Sequence, residues 1–179
     1  MVYLFLANGF EETEAIAPLD MLRRAGLDVK TVAVGGSLTV TGSHGIPVTA
    51  DIAEADFAPD NIDMVVLPGG MPGADNLYAS DTVRTALEYA KGSGAYIAAI
   101  CAAPYILGKL GYLEGHRAVC YPGYESELLG ADVTDAPVVT DGHIITARAA
   151  GSALPFGFAL VAALCGEEKA DAVARAVIY

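Results

Sequence analysis

Apolar residues in this chain fall into short continuous runs separated by stretches of helical spacing. Val2 to Leu6 is one such run, closed by Asn8-Gly9. From Glu11 the apolar positions Ala15, Ile16, Leu19 and Leu22 recur on one helical face until Gly26 stops the pattern, which predicts a strand followed by a helix. Pro18 lies inside that segment, so the helix either kinks there or begins just before it. Val29 to Val34 reads as the next strand. Leu38 to Ala50, rich in Thr and Val and broken at Gly42 and Gly45, reads as a short hairpin. Met64 to Leu67 is again continuous and apolar, as a strand buried on both faces of a parallel sheet must be, and it ends at Pro68-Gly69-Gly70. Thr82 to Lys91 has an amphipathic helical pattern, Tyr96 to Ile100 is a buried strand, and Pro104 to Leu110 falls where the following helix belongs. Ala118-Val119-Cys120, Val138 to Thr140 and Ile144 to Thr146 are shorter strands, the last two joined by a turn at Asp141-Gly142-His143. Leu154 to Leu164 and Glu167 to Val177 are helical in pattern. Only Pro68 to Ser80, rich in Gly, carries no clear element.

This alternation predicts an α/β fold in one domain spanning residues 1–179, with a mostly parallel sheet and helices on both faces. A chain of 179 residues buries roughly two-thirds of its unfolded surface. Hydrophobic residues make up 54% of it and charged ones 18%, which points to a large covered core. The net charge of -12 argues against nucleic acid and anionic membranes as partners, since both bind through Lys and Arg. The first apolar run lacks a basic leader and meets Gly9 too soon for a signal peptide or a membrane span, so nothing in it directs export. Three cysteines, at 101, 120 and 165, without CxxC spacing, suit neither a disulfide framework nor a zinc site, and favour a reducing, cytoplasmic compartment. His44, His116 and His143 are scattered, so neither a metal nor a cofactor is expected.

In sheets of this kind reactive groups gather beyond the carboxyl ends of the strands, here Asn8-Gly9, Pro68-Gly69-Gly70 and Cys101. Around Cys101 the sequence is Ala99-Ile100-Cys101-Ala102-Ala103. Small residues two before and two after meet the steric demand of a nucleophile elbow, a strained strand-to-helix turn. A thiol facing the start of the next helix is expected to have its pKa lowered toward neutrality; the plainer alternative is an inert core cysteine. Gly69-Gly70 is either a plain tight turn or a place where a backbone N–H turns inward as an oxyanion donor beside the N–H of Ala102. Glu11, Glu12 and Glu14 open the first helix, where carboxylates commonly offset the helix dipole at the surface. Glu14, nearest the apolar stripe, is the one able to enter the cleft, and burial there would keep it protonated and able to donate to sulfur. No histidine follows Cys101, and all three histidines fall on or beside predicted turns, where solvated side chains are the rule.

Gly9-Phe10-Glu11-Glu12-Thr13-Glu14, followed by Pro18-Leu19-Asp20 and Arg23-Arg24-Ala25-Gly26, stands beside Val65-Val66-Leu67-Pro68-Gly69-Gly70 and Ala98 to Pro104. Together these motifs resemble the DJ-1/PfpI (ThiJ) superfamily, its DJ-1-like branch more than its PfpI-type proteases. The resemblance implies a flavodoxin-like α/β sandwich, usually a homodimer, with Cys101 as an oxidation-prone nucleophile. It also implies Glu14 as the protonated glutamate that hydrogen-bonds the cysteine, and Gly70 and Ala102 as backbone N–H partners. Members of the branch are described as oxidative-stress sensors, chaperones, cofactor-independent glyoxalases that convert methylglyoxal to lactate, and deglycases. The implied partner is therefore a small reactive aldehyde or a peroxide. Two departures stand out. Where some members have His before a Pro, this chain has Tyr121, a poor base near neutral pH, which weakens a peptidase reading. The Gly-Pro-Gly that follows an arginine matching Arg148 is here Ala149-Ala150-Gly151.

Overall fold

A strand that is apolar on both faces has to lie between two layers, and the sheet is built from such strands. In the computed structural model, which describes residues 1–179, the elements run β1 (Val2–Ala7), α1 (Glu12–Arg24), β2 (Val29–Val34), β3 (Thr39–Thr41), β4 (Pro47–Thr49) and β5 (Ile52–Ala53). They continue with β6 (Met64–Leu67), α2 (Gly73–Ala79), α3 (Asp81–Ser93), β7 (Tyr96–Ile100), α4 (Pro104–Lys109), β8 (Arg117–Ala118) and β9 (Asp132–Val133). The chain ends with β10 (Val138–Asp141), β11 (Ile144–Ala147), α5 (Ala153–Cys165) and α6 (Glu167–Ala176). Seven strands form one sheet in the order β10-β11-β7-β6-β1-β2-β5, parallel throughout except for the edge pair β10-β11.

Successive side chains of β1 point to opposite faces. Tyr3, Phe5 and Ala7 join Val65, Leu67 and Ile97 in a core closed by Leu77 of α2 and Leu87 of α3. Val2, Leu4 and Leu6 join Met64 and Val66 in a second core closed by Leu22 of α1 and by Phe156 and Leu160 of α5. Helices therefore cover both faces, as the sequence predicts. Each fully buried Leu or Phe stabilises the fold by about 1.5–3 kcal/mol, so the middle strands anchor the turns at their carboxyl ends.

The hairpin expected between Leu38 and Ala50 is β3 and β4, and the one centred on Gly142 is β10 and β11. Other expectations need correction. Helix α1 starts at Glu12, not Glu11; Glu11 is the cap, and its side chain accepts the Glu14 N–H at 2.7 Å. Pro18 is interior to α1, so its missing N–H leaves the Glu14 carbonyl without an intrahelical donor. The unassigned stretch from Pro68 to Ser80 contains α2. Of Ala118-Val119-Cys120 only Ala118 is in a strand, paired with β9 outside the main sheet. The next donors go elsewhere: the Val119 N–H bonds Thr146 Oγ1 at 3.0 Å, and the Tyr121 N–H bonds the Cys101 carbonyl at 2.7 Å. No helix is long and apolar enough to cross a membrane.

Candidate active site

The turns after β1, β6 and β7 converge at the carboxyl edge of the sheet. Cys101, one residue past β7, has φ of +67°, a left-handed conformation that costs a residue with a Cβ about 1–3 kcal/mol. Both of its backbone groups are clamped. Its N–H donates to the Ala147 carbonyl at 2.9 Å, and its C=O accepts from Tyr121. The expected elbow is thus present as a strained turn held from two sides, and its thiol is partly buried.

Glu14 reaches the sulfur because Glu11 caps α1 and sets the helix's rotation. The buried positions Glu14, Pro18, Met21 and Leu22 share the face turned to the core, and Glu14 is only 1% exposed. Its Oε2 accepts the Gly69 N–H at 3.0 Å. The Cys101 side chain and the Ala150 N–H also favour its ionised form. Glycine is required at position 69, where a Cβ would lie 2.6 Å from Glu14 Oε2 and 2.7 Å from Cys101 Cβ. Gly70 has φ of +86°, and a Cβ there would meet the Glu11 backbone nitrogen at 2.3 Å. The N–H groups of Gly70 and Ala102 favour negative charge on the sulfur. Cys101, Glu14, Gly70 and Ala102 are therefore brought together, and the plain-turn alternative for Gly69-Gly70 does not describe the site.

The charges are arranged against the sequence expectation in one respect. Burial, opposed by the Cys101 hydrogen bond and reinforced by the Glu11 charge, pushes Glu14 up to about 7. Burial and then the Glu14 charge also push the Cys101 thiol up, and the N–H groups of Ala102 and Gly70 do not overcome them. The lowered thiol pKa expected from the helix start alone is not found; a carboxylate against the sulfur outweighs partial charges at the end of a helix. Near neutrality the pair gives up one proton and keeps the other.

Two features of the site carry little sequence signal. The Ala150 donor is a backbone N–H, available from any residue but Pro. Glu12, expected to be surface charge, is buried at 7% exposure. The His44 N–H bonds its Oε1 at 2.8 Å, and His44 Nδ1 lies 2.8 Å from its Oε2. His44 has an exposed side chain, as expected, but it is tied to α1. Glu11, Glu12 and His44 each offer one metal-type ligand atom within 4.8 Å of one another, with all three side chains already engaged, Glu11 by the Glu14 N–H and the other two by each other. No histidine is among the partners of the sulfur. Tyr121 is 48% exposed, and of its groups the backbone N–H is the one that reaches Cys101. Cys120 is buried in the core, and burial raises its thiol to about 11; Cys165 is exposed.

A profile described as the DJ-1/PfpI family matches residues 1–163. The chain belongs to the DJ-1/PfpI family. Protein dj-1beta of Drosophila melanogaster is 37% identical over 177 residues, covering 98% of this chain and 95% of that one. A protein named as a deglycase in Pyrococcus abyssi is 35% identical over 158 residues, covering 84% of this chain and 90% of the other. The solved structure of oxidized Toxoplasma gondii DJ-1 superposes with a TM-score of 0.96 at 33% identity, covering 99% of this chain and 97% of that one. Relatives from Arabidopsis thaliana are longer, and the chain spans 46% of one of them. DJ-1/PfpI membership agrees with the sheet order and with the three sequence motifs that converge on Cys101.

Proposed function

We propose that this chain is a DJ-1-like enzyme acting on small reactive dicarbonyls, with Cys101 as nucleophile and Glu14 as proton carrier. The observation that carries the reading is a buried carboxyl, raised to about 7, beside a thiol on a strained elbow. Such a group can give and take a proton near neutral pH. Starting from the form in which the remaining proton sits on Glu14, the thiolate attacks the aldehyde carbon of methylglyoxal, a C–S bond forms, and the aldehyde oxygen takes the Glu14 proton. The Glu14 carboxylate then removes the hydrogen on that carbon and returns it to the neighbouring carbon through an enediol. Once the hydroxyl proton of the first carbon has passed to the oxygen of the second, the product is a lactyl thioester; Glu14 then takes a proton from water, the hydroxide cleaves the C–S bond, and lactic acid leaves and gives its proton to solvent, restoring the thiolate beside protonated Glu14. The N–H groups of Gly70 and Ala102 steady the charge on sulfur and are the nearest donors when it passes to oxygen. No cofactor enters this sequence.

A second reading is supported by the same carboxyl and thiol and by the relative solved in an oxidized form. In it Cys101 is a redox sensor: one peroxide oxidises the thiolate to a sulfenate and a second takes it to a sulfinate, each being reduced to water or an alcohol, and protonated Glu14 donates to the new oxygen. A peptidase reading has the least support, because no histidine is among the sulfur's partners. Family likeness adds a homodimer and a cytoplasmic setting to the proposal, the former checked by sedimentation. The deciding experiment follows lactate formation from methylglyoxal by NMR. The original chain is expected to form lactate, with Cys101→Ser and Glu14→Gln inactive. Unchanged consumption in Cys101→Ser would overturn the enzyme reading, whereas an inactive original chain whose Cys101 gains two oxygens under peroxide supports the sensor.

A further inference from the structure

Basic groups are scarce here, with 10 Lys and Arg against 22 Asp and Glu. Yet a hollow of about 210 Å³ is lined by Lys91, His116 and His143 with no carboxylate among its lining residues. It opens at the amino ends of β7 and β11. Cys101 lies at the other end of β7, roughly 15 Å away for a strand of that length. The apolar part of the hollow is Ile97, Ile144 and Tyr112.

Each basic group is positioned by a single partner that leaves donors free. Lys91 Nζ sits 4.1 Å from the centroid of the Tyr112 ring, an attraction to the ring face that uses no acceptor of the protein. His116 Nδ1 lies 3.5 Å from Asp141 Oδ2. The His143 ring rests 5.0 Å from that of Tyr96, and its backbone carbonyl takes the Ile97 N–H at 2.8 Å. Charges also act from outside the hollow: Glu88 and Arg84 oppose each other at Tyr112, and Asp141 also accepts the Arg117 N–H. An apolar wall with a few convergent polar groups is the usual form of a small-molecule site, and this one is smaller than the roughly 300–1,000 Å³ of drug-sized pockets.

We propose that this hollow binds a small amphipathic carboxylate, with a flat apolar body against Ile97, Ile144 and Tyr112 and its charge toward Lys91 and the two imidazoles. A bare inorganic anion would leave the apolar wall uncovered, and a cation would meet the ammonium. The site is independent of the chemistry at Cys101.

Benzoate is the probe, with benzamide as its uncharged counterpart and acetate as its ringless one, each titrated into isotope-labelled full chain and followed by amide NMR. Benzoate is expected to shift Gly94, Ala95, Gly142 and His143 with an affinity of about millimolar. Benzamide and acetate should bind several-fold more weakly. Lys91→Met is expected to weaken benzoate by about tenfold, as the loss of one charge-assisted contact would. His116→Gln provides a second loss should Lys91→Met disturb α3. Benzoate shifts confined to Gly69, Gly70 and Ala102, equal binding of benzamide, undiminished binding by both variants, or no shift at all would each overturn the proposal.

Discussion

Glu12 and Glu14 stand two residues apart on the same helix, both buried, and their environments drive them in opposite directions. Burial disfavours the charge of each. At Glu12 it is outweighed by hydrogen bonds from the His44 ring, from its own backbone N–H and from the N–H groups of His44 and Ile46, and the carboxyl falls to about 2. At Glu14 the Cys101, Gly69 and Ala150 hydrogen bonds do not outweigh burial and the charge of Glu11, and the carboxyl rises to about 7. What separates the two carboxyls is therefore the surrounding set of donors and charges together with depth, since Glu12 is covered only shallowly whereas Glu14 lies far beneath the surface. Glu12 fastens the β3-β4 hairpin to α1. Glu14 is left holding a proton beside a thiol.

Exchanging each carboxyl for an amide should separate the two roles. Glu14→Gln is expected to lower lactate formation at least about a hundredfold, the usual worth of a positioned acid–base group, while making the fold more stable at pH 8 by about 1–2 kcal/mol, since a buried charge is removed. Glu12→Gln should do the reverse, keeping activity and losing about 1–3 kcal/mol of stability as charged hydrogen bonds are weakened. Urea unfolding and initial rates, measured on the same preparations, check both; a stable, inactive Glu12→Gln would erase the distinction.

The pH dependence of stability gives a smaller, signed effect. Glu14 has a folded pKa of about 7 against an ordinary 4.5, so its contribution is fully present below 4.5 and is lost as pH rises through 7. Glu12 has a folded pKa of about 2 against the same 4.5, so its contribution is present above 4.5 and is lost as pH falls through 2. Unfolding midpoints across this range should show both limbs, the upper one missing in Glu14→Gln and the lower one in Glu12→Gln. The smallest effect is on His44, which the Glu12 hydrogen bond and charge hold above its ordinary pKa. Its ring protons should titrate at a lower pH in Glu12→Gln than in the original chain.

Much of the candidate site was legible because its signals are local. Small residues flank Cys101, two glycines end a buried strand, and Glu14 lies on the apolar stripe of its helix. What escaped depends on distant segments or on the backbone. Glu12 reads as surface charge until a loop some thirty residues later closes over it. The Ala150 donor leaves no trace in side-chain identity. Helix α2 begins Gly73-Ala74-Asp75-Asn76 with no side-chain cap, so neither propensity nor capping announces it. The thiol reads as lowered only when the start of a helix is weighed without burial and the charge of Glu14, which together outweigh it. Val119 and Cys120 look like strand because they are apolar, but their stretch of backbone is drawn to Thr146 and to the elbow instead.

The acidic opening of α1 also bears on selectivity. A helix start ordinarily attracts anions, but here Glu11 occupies the free N–H of Glu14, and its negative charge is felt at the Glu14 carboxyl. On a chain of net charge -12, and on the proposed reading of the site, a carbonyl compound bearing a phosphate is expected to react more slowly than an uncharged dicarbonyl of similar size. The helix cap would then double as a charge filter, sorting aldehydes by what else they carry.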